Sequence, residues 1–341
     1  IQGEFTRYLF RGTDFLIRGE YQRAVDEFKG ATARRPYDPL GFNGLGAALV
    51  GLGKFREAIP HLKQAVLFDV YFADAHNNLG VAYIGLGEYQ SAVASFQNVT
   101  SINPRFAFGY NGLGLTYVLS GKIQEGIIFY QEALKINPNF VLVYKNLADA
   151  YRLLGRSEEA IPHYHKAIRI DPDYVQAYVN LGLTYQSLGH AQEAISQYQK
   201  ALAMDASLVE VCVNLGLAYY SLGKVEDAIT QYLKALELKP NLVEVYNNLG
   251  LAYDSLKEYR KAIAYYQKGL EVDPGYIELY LNLGLTHRSL GQFQQAIVYY
   301  EKALKIDADD PEAYLGLGIT SVSYTHLRAH ETVLDLVCRL L

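Results

Sequence analysis

The sequence predicts an all-α solenoid of stacked helix pairs, because a unit of 34 residues recurs nine times without insertion or deletion. A tenth copy begins and then breaks off. Every unit of a solenoid must stack on its neighbour in one geometry, so constant spacing is what such an array requires. The units start at Phe5, Pro39, Ala73, Ala107, Val141, Val175, Val209, Val243, Ile277 and Pro311.

The first half of each unit predicts one helix. Its seventh position is Leu in most units and its eighth is Gly, which costs about 1 kcal/mol relative to Ala inside a helix. Close approach of a second helix explains why so many units keep this Gly. The fifteenth position supplies a Gly that ends the helix in the left-handed conformation: Gly19, Gly53, Gly87, Gly121, Gly155, Gly189, Gly223 and Gly291.

The second half predicts a helix that packs against the first. Its twentieth position is small, as in Ala194 and Ala228. Bulky residues at positions 4, 11 and 24 flank these small contacts, for example Tyr178, Tyr185 and Tyr198. A Pro near the end of most units stops the second helix.

This pattern resembles the tetratricopeptide repeat over residues 5–320. The resemblance implies a right-handed superhelix of antiparallel helix pairs, with the first helices lining a concave face. Nine complete units then span 5–310, and 311–320 is the truncated first helix of a tenth. The departures from the pattern are few: Val70, Ala206 and Ala308 replace Pro, Lys257 replaces Gly, and Arg11 replaces Leu.

The repeat pattern disappears after residue 321. Residues 322–332 resemble the translation of a transposase-type sequencing adapter, and residues 336–341 resemble the flow-cell end of that adapter. We therefore expect 321–341 to be adapter-derived rather than a domain, and the natural protein to continue past Thr320. The alternative is a natural amphipathic tail. Codons in the source reads that do not spell the adapter would support the alternative.

Composition excludes several classes of function. The net charge of -5 argues against nucleic-acid binding. No run of about 18 apolar residues indicates a membrane span, and the expected location is the cytoplasm. Outside the tail, Cys212 is a single thiol at a core position and predicts no disulfide.

No catalytic, metal-binding or cofactor-binding constellation emerges. His163 and His165 are two residues apart on a predicted helix, so they point to different sides and make poor joint metal ligands. The Gly-Leu-Gly strings lie inside helices rather than after strands, so they do not predict phosphate loops.

The inner side of the first helices carries the candidate binding residues. Position 6 is an asparagine ladder, namely Asn78, Asn146, Asn180, Asn214, Asn248 and Asn282. An amide offers a donor and an acceptor together, which suits a peptide backbone. The ladder is similar to the one with which the arrays of O-linked N-acetylglucosamine transferases hold extended polypeptide. The alternative is a solvent-facing Asn that repeat duplication has copied.

Position 2 changes character along the chain. It is mostly apolar in the first half and then becomes a row of acids, Glu210, Glu244, Glu278 and Glu312. A partner segment with apolar residues at one end and Lys or Arg at the other would fit this face. Simple solvation of the surface explains the Glu row equally well.

We therefore predict a scaffold that binds extended peptide segments of other proteins, with no nucleic-acid or membrane partner. The rival interpretation is the substrate-recruiting array of a larger enzyme, plausibly a glycosyltransferase, with its catalytic domain beyond Thr320. One function of similar arrays, a clamp for acidic C-terminal tails, is argued against because Asp149 and Glu210 occupy places where that clamp needs Asn and a cation.

Overall fold

The computed structural model describes the backbone of residues 2–340 and the side chains of residues 3–325. Over the described backbone the chain forms nineteen α-helices and no strand, which confirms the predicted all-α class. The helices are α1 (Gln2–Ile17), α2 (Tyr21–Arg34), α3 (Pro39–Gly51), α4 (Phe55–Phe68), α5 (Ala73–Gly85), α6 (Tyr89–Ile102), α7 (Ala107–Leu119), α8 (Ile123–Ile136), α9 (Val141–Leu153), α10 (Ser157–Ile170), α11 (Val175–Ser187), α12 (Ala191–Met204), α13 (Val209–Ser221), α14 (Val225–Leu238), α15 (Val243–Ser255), α16 (Tyr259–Val272), α17 (Ile277–Ser289), α18 (Phe293–Ile306) and α19 (Pro311–Leu340).

Each repeat is a pair of antiparallel helices joined by a short turn. The turn contains the predicted Gly at position 15, and all eight of these glycines have φ between 72° and 84°. Lys257, which stands in for the ninth, adopts φ 60° in the same place. The predicted turn is confirmed at all eight glycines. The structure adds that Lys257, a departure from the sequence pattern, keeps the same left-handed conformation despite its side chain.

The connections between repeats are held by side chains that the sequence analysis did not single out. An Asp or Asn at position 31 accepts a hydrogen bond from the backbone N–H two residues later, at 3.1 Å from Asn139 to Asn137 and 2.8 Å from Gly275 to Asp273. This is the Asx-turn geometry that favours Asp and Asn in connections. The Tyr144 hydroxyl at position 4 then donates to the carbonyl oxygen of Pro138 at 3.2 Å.

In the core, the Gly at position 8 packs directly against the large residue at position 24, which was predicted only to flank the small residues. At Gly250, an added Cβ would lie 2.1 Å from Cε1 of Tyr266 in the paired helix. The Tyr266 ring itself is fully buried. The close approach that a helix-interior Gly suggested is therefore confirmed, with the aromatic residue at position 24 as the partner.

The chain divides into two compact units, Ile1–Asn180 and Leu181–Leu341. Within the first unit, α3 contacts α5 and α7 contacts α9. Within the second, α15 contacts α17 and α17 contacts α19. First helices of successive repeats thus lie side by side, and we call the surface they form the inner face.

The helix α19 runs from Pro311 through Leu340, so the structure has no helix end at residue 320. Apolar residues at helical spacing are sufficient to form such a helix. The adapter interpretation concerns residues 321–341, of which 326–341 lie outside the described side chains. It therefore stays a prediction, as does the division at residue 320.

Candidate functional site

The candidate binding residues lie on the inner face at the positions that the repeat register predicts. The six ladder amides are on α5, α9, α11, α13, α15 and α17, and Glu210, Glu244 and Glu278 lie one helical turn before the last three. The Asn side chains are largely shielded and the Glu side chains are exposed. On the inner face, therefore, the amides are recessed and the carboxylates are exposed to solvent.

Three of the ladder amides tie neighbouring first helices together. The Nδ2 group of Asn78 donates to Oδ1 of Asn43 at 2.9 Å, and Asn146 donates to Asn111 at 3.0 Å. Asn282 makes the same bond at 2.8 Å. In each case the acceptor is the position-5 Asn of the preceding repeat, 35 residues earlier. Such a bond contributes about 1 kcal/mol net, so these amides have a structural role that neither interpretation of the ladder anticipated.

Asn180 belongs to a charged cluster. Its Nδ2 donates to Oδ1 of Asp149 at 2.9 Å, and its Oδ1 accepts from Gln176 at 2.9 Å. Lys145 lies 2.8 Å from Oδ2 of the same Asp149 carboxylate, and the Tyr164 hydroxyl donates to it as well. Burial, followed by this carboxylate, raises the pKa of Tyr164 above its ordinary value. Asn180 is 7% exposed, so its amide is already bound within the protein.

Asn214 and Asn248 differ from the other four. Both are half-buried, and across the described side chains neither amide has a hydrogen-bond partner in the protein. For Asn248 the reason is visible in the sequence, because position 5 of the preceding repeat is Val213, which has no acceptor. These two amides are therefore the ladder members that keep their full capacity for a ligand.

The three glutamates form an unpaired acidic row beside these amides. Among residues 3–325, none of Glu210, Glu244 and Glu278 lies within ion-pair distance of a basic side chain. Burial raises the pKa of the neighbouring Tyr276 hydroxyl, and the Glu278 and Glu244 carboxylates raise it further. The row is therefore a region of negative potential next to free amides.

Each Gly that interrupts the ladder packs against the aromatic ring at position 24 of the preceding repeat. An added Cβ would lie 2.3 Å from the Phe28 ring at Gly44, 2.3 Å from Phe96 at Gly112 and 2.5 Å from Tyr300 at Gly316. Two of these rings are Phe at position 24 of the preceding repeat, where most repeats carry Tyr. Comparison of position 24 with the next position 6 could have predicted Gly44 and Gly112 from sequence, but not Gly316, because Tyr at position 24 precedes Asn in five other repeats.

His163 and Cys212, which the sequence did not assign to binding, are both packed against other side chains. Among the described residues, no three His, Cys, Asp or Glu side chains lie close enough together to hold a metal ion. His163 stacks on Tyr151 with ring centroids 5.4 Å apart, and burial lowers its pKa. Cys212 is fully buried. Over the same residues, no helix has the length and apolar character that crossing a membrane requires.

Comparison with known proteins decides the family. Models described as tetratricopeptide repeat match residues 73–106, 107–140, 129–161, 175–208, 243–276 and 277–310, and one described as TPR repeat matches 148–189 and 216–257. Together they cover more than half of the chain. The chain belongs to the tetratricopeptide repeat family. This confirms the resemblance that the repeat pattern suggested. None of the curated proteins matches the chain.

Two solved structures support the same fold, and a third is similar in sequence over about half of the chain. The C-terminal part of a TPR repeat-containing protein from Cytophaga hutchinsonii is 20% identical, with a TM-score of 0.62 over 71% of this chain and 99% of that one. YrrB, described as a TPR protein with an unusual peptide-binding site, is 19% identical, with a TM-score of 0.50 over 55% of this chain and 97% of its own. MamA is 32% identical over 48% of this chain and 95% of its own, with a TM-score of 0.46. The similarity to O-linked N-acetylglucosamine transferase arrays stays a prediction.

Proposed function

We propose that this TPR protein binds extended peptide segments along its inner face, with α13 and α15 as the centre of the contact. Its family and fold make it a protein–protein interaction scaffold, and the proposal adds where and how a partner binds. The observation that carries it is the pair of unbonded amides, Asn214 and Asn248, set beside unpaired glutamates.

The spacing of the helices suits an extended peptide. Packed helices lie about 10 Å apart, and an extended chain advances about 3.3 Å per residue. Amides on successive first helices would therefore meet every third residue of a partner. Each can offer a donor and an acceptor to the peptide backbone. A partner could use only the remaining hydrogen-bonding groups of the amides that already tie two helices together, namely Asn78, Asn146 and Asn282.

Hydrogen bonds to the ladder cannot supply the whole affinity. Each contributes about 1 kcal/mol net, whereas association costs about 4–15 kcal/mol. Side-chain contacts must provide the rest. The acidic row of Glu210, Glu244 and Glu278 favours Lys or Arg in the partner, mainly by accelerating association and by excluding acidic segments. We therefore propose a basic segment of another protein as the ligand, rather than a nucleic acid or a membrane.

The test uses dodecapeptides selected on the full chain from a random phage-displayed library. Substituting both Asn214 and Asn248 with Ala should weaken binding of the selected peptides at least about 30-fold, which corresponds to one bond of about 1 kcal/mol for each amide. The matched control substitutes Asn111 and Asn146 with Ala, which removes the tie between α7 and α9 and should leave affinity nearly unchanged. Equal affinity of wild type and N214A/N248A would refute the proposal.

The rival interpretation, a recruiting array of a larger enzyme, makes the same claims about the residues of this chain. It stays a prediction, as does the cytoplasmic location. Sequencing the source locus through codon 320 to the stop tests the rival directly. A catalytic domain in that sequence would make the inner face a substrate-recruiting surface.

A further inference from the structure

A pocket of about 470 Å³ lies on the inner face of the first unit, where Gly44 interrupts the asparagine ladder. The Phe28 ring forms part of its lining, together with Leu9 and Leu16. A pocket of this size is in the range that binds ligands in proteins, and its lining is mostly apolar. It lies outside the second unit, which contains Asn214 and Asn248.

Two small residues open this pocket. Gly44 must lack a side chain because a Cβ would lie 2.3 Å from Phe28, and Phe28 is only 3% exposed. The second is Ala47 at position 9, where five other repeats carry a leucine that would project into the same space: Leu115, Leu183, Leu217, Leu251 and Leu285. A corresponding pocket of about 290 Å³ lies at Gly316, where Leu285 and Ile319 occupy position 9. The pocket at Gly44 is larger, and the small side chain of Ala47 accounts for the difference.

The rim of the pocket is polar, and it includes the tied pair Asn43 and Asn78 together with two residues that have no partner among residues 3–325. Asp74 is exposed, and within the described residues its carboxylate has no basic side chain in ion-pair distance. Asn77 lines the same rim, and its amide has no hydrogen-bond partner in that part of the chain. An exposed carboxylate beside an apolar pocket complements a ligand with an apolar group and a cation close together.

We propose that this pocket anchors one large apolar side chain, Leu or Phe, of a partner peptide whose nearby Lys or Arg pairs with Asp74. The proposal rests on the proposed function in that its occupant is a peptide. It uses residues of the first unit, none of which belongs to the amides of α13 and α15. Full burial of such a side chain corresponds to an affinity gain of about 10- to 100-fold.

The test compares fluorescein-labelled Gly-Ser dodecapeptides that carry a central Leu-Ser-Lys, Ala-Ser-Lys or Leu-Ser-Glu, using fluorescence anisotropy. The wild-type chain should bind Leu-Ser-Lys at least tenfold more tightly than Ala-Ser-Lys. Ala47→Leu narrows the pocket with a residue that this position already carries in other repeats, and it should abolish the preference for Leu. Asp74→Asn should abolish only the preference for Lys over Glu.

The matched control is Val81→Leu, which enlarges position 9 of the next repeat outside the pocket and should keep both preferences. A wild-type chain that does not distinguish Leu from Ala, or an A47L variant that still does, would overturn the proposal. Self-association of the wild type that A47L abolishes would assign the pocket to a second copy and would also overturn it. The N214A/N248A variant should retain the preference for Leu, so failure of the proposed function is seen separately.

Discussion

The packing of Gly against an aromatic ring predicts opposite effects for one substitution at two equivalent positions. Gly250 and Gly318 both occupy position 8 of their repeats. A Cβ on Gly250 would lie 2.1 Å from Cε1 of Tyr266, whereas within the described residues a Cβ on Gly318 would meet no atom within 4 Å. Replacing either Gly by Ala therefore changes the helix in the same way but changes the packing only at Gly250.

The expected magnitudes follow from two terms. Ala stabilises a helix interior by about 1 kcal/mol relative to Gly, and this gain applies at both sites. Overpacking costs about 1–3 kcal/mol and applies only to Gly250→Ala, because the Tyr266 ring is fully buried and cannot withdraw into solvent. We expect G250A to lower the free energy of unfolding by up to about 2 kcal/mol and G318A to raise it by up to about 1 kcal/mol.

Urea unfolding of both variants, followed by circular dichroism, measures this difference. Because long arrays need not unfold in one step, hydrogen exchange in α15 and α16 provides a local measure of the stability change at Gly250. The fifth repeat already carries Ala at position 8, Ala148, in a pair of helices whose position-24 residue is Tyr164. There the Tyr164 hydroxyl donates a hydrogen bond to Asp149, the residue after Ala148. Gly250 is followed instead by Leu251, which offers no such acceptor. A G250A chain as stable as wild type, or equal losses in the two variants, would refute the reasoning.

Three further predictions concern the polar residues. Burial lowers the pKa of His163 below 6.5. The unfolded chain therefore takes up this proton at higher pH than the folded chain does, and the free energy of unfolding should fall as the pH drops below about 6.5. H163Q should remove that part of the pH dependence in urea titrations at pH 5 and 7.5. Burial raises the pKa of Asp254 above 3.8, and one of its buried carboxylate oxygens has no hydrogen-bond partner. D254N should therefore stabilise the fold by about 1 kcal/mol at pH 7. Thermal melts should show this gain shrinking toward pH 3, because the wild-type carboxyl is then protonated. N78A should lower the free energy of unfolding by about 1 kcal/mol, whereas N214A, which breaks no bond, should leave it unchanged or raise it by up to about 0.7 kcal/mol; chemical denaturation that ranks them the other way would contradict the assignment of ties.

The fold was predictable because each local signal occurs many times in register. The Gly at position 15 predicted the turns, and even the exception at Lys257 keeps the left-handed conformation. Helices α3 and α5 begin at Pro39 and Ala73, the residues at which the units were placed. A pattern repeated nine times leaves little freedom in where a helix begins.

The binding face was less predictable, because the state of each amide depends on a residue one repeat away. Asn78 is hydrogen-bonded because Asn43 precedes it by 35 residues. Among the described residues, Asn248 is free because Val213 stands at the corresponding place. Comparison within a single unit cannot reveal this, since the partners are 35 residues apart. The pocket at Gly44 has the same origin, because a ring from the preceding repeat excludes the side chain.

The most direct test of the central claim is to observe the side-chain amide signals of the ladder by ¹H–¹⁵N NMR, with and without a library-selected dodecapeptide. We predict that the Nδ2 signals of Asn214 and Asn248 shift on binding, because these amides are free to bond to the peptide. Asn180, which is bound to Asp149, should not shift. Saturated binding that leaves the Asn214 and Asn248 signals in place would contradict the account.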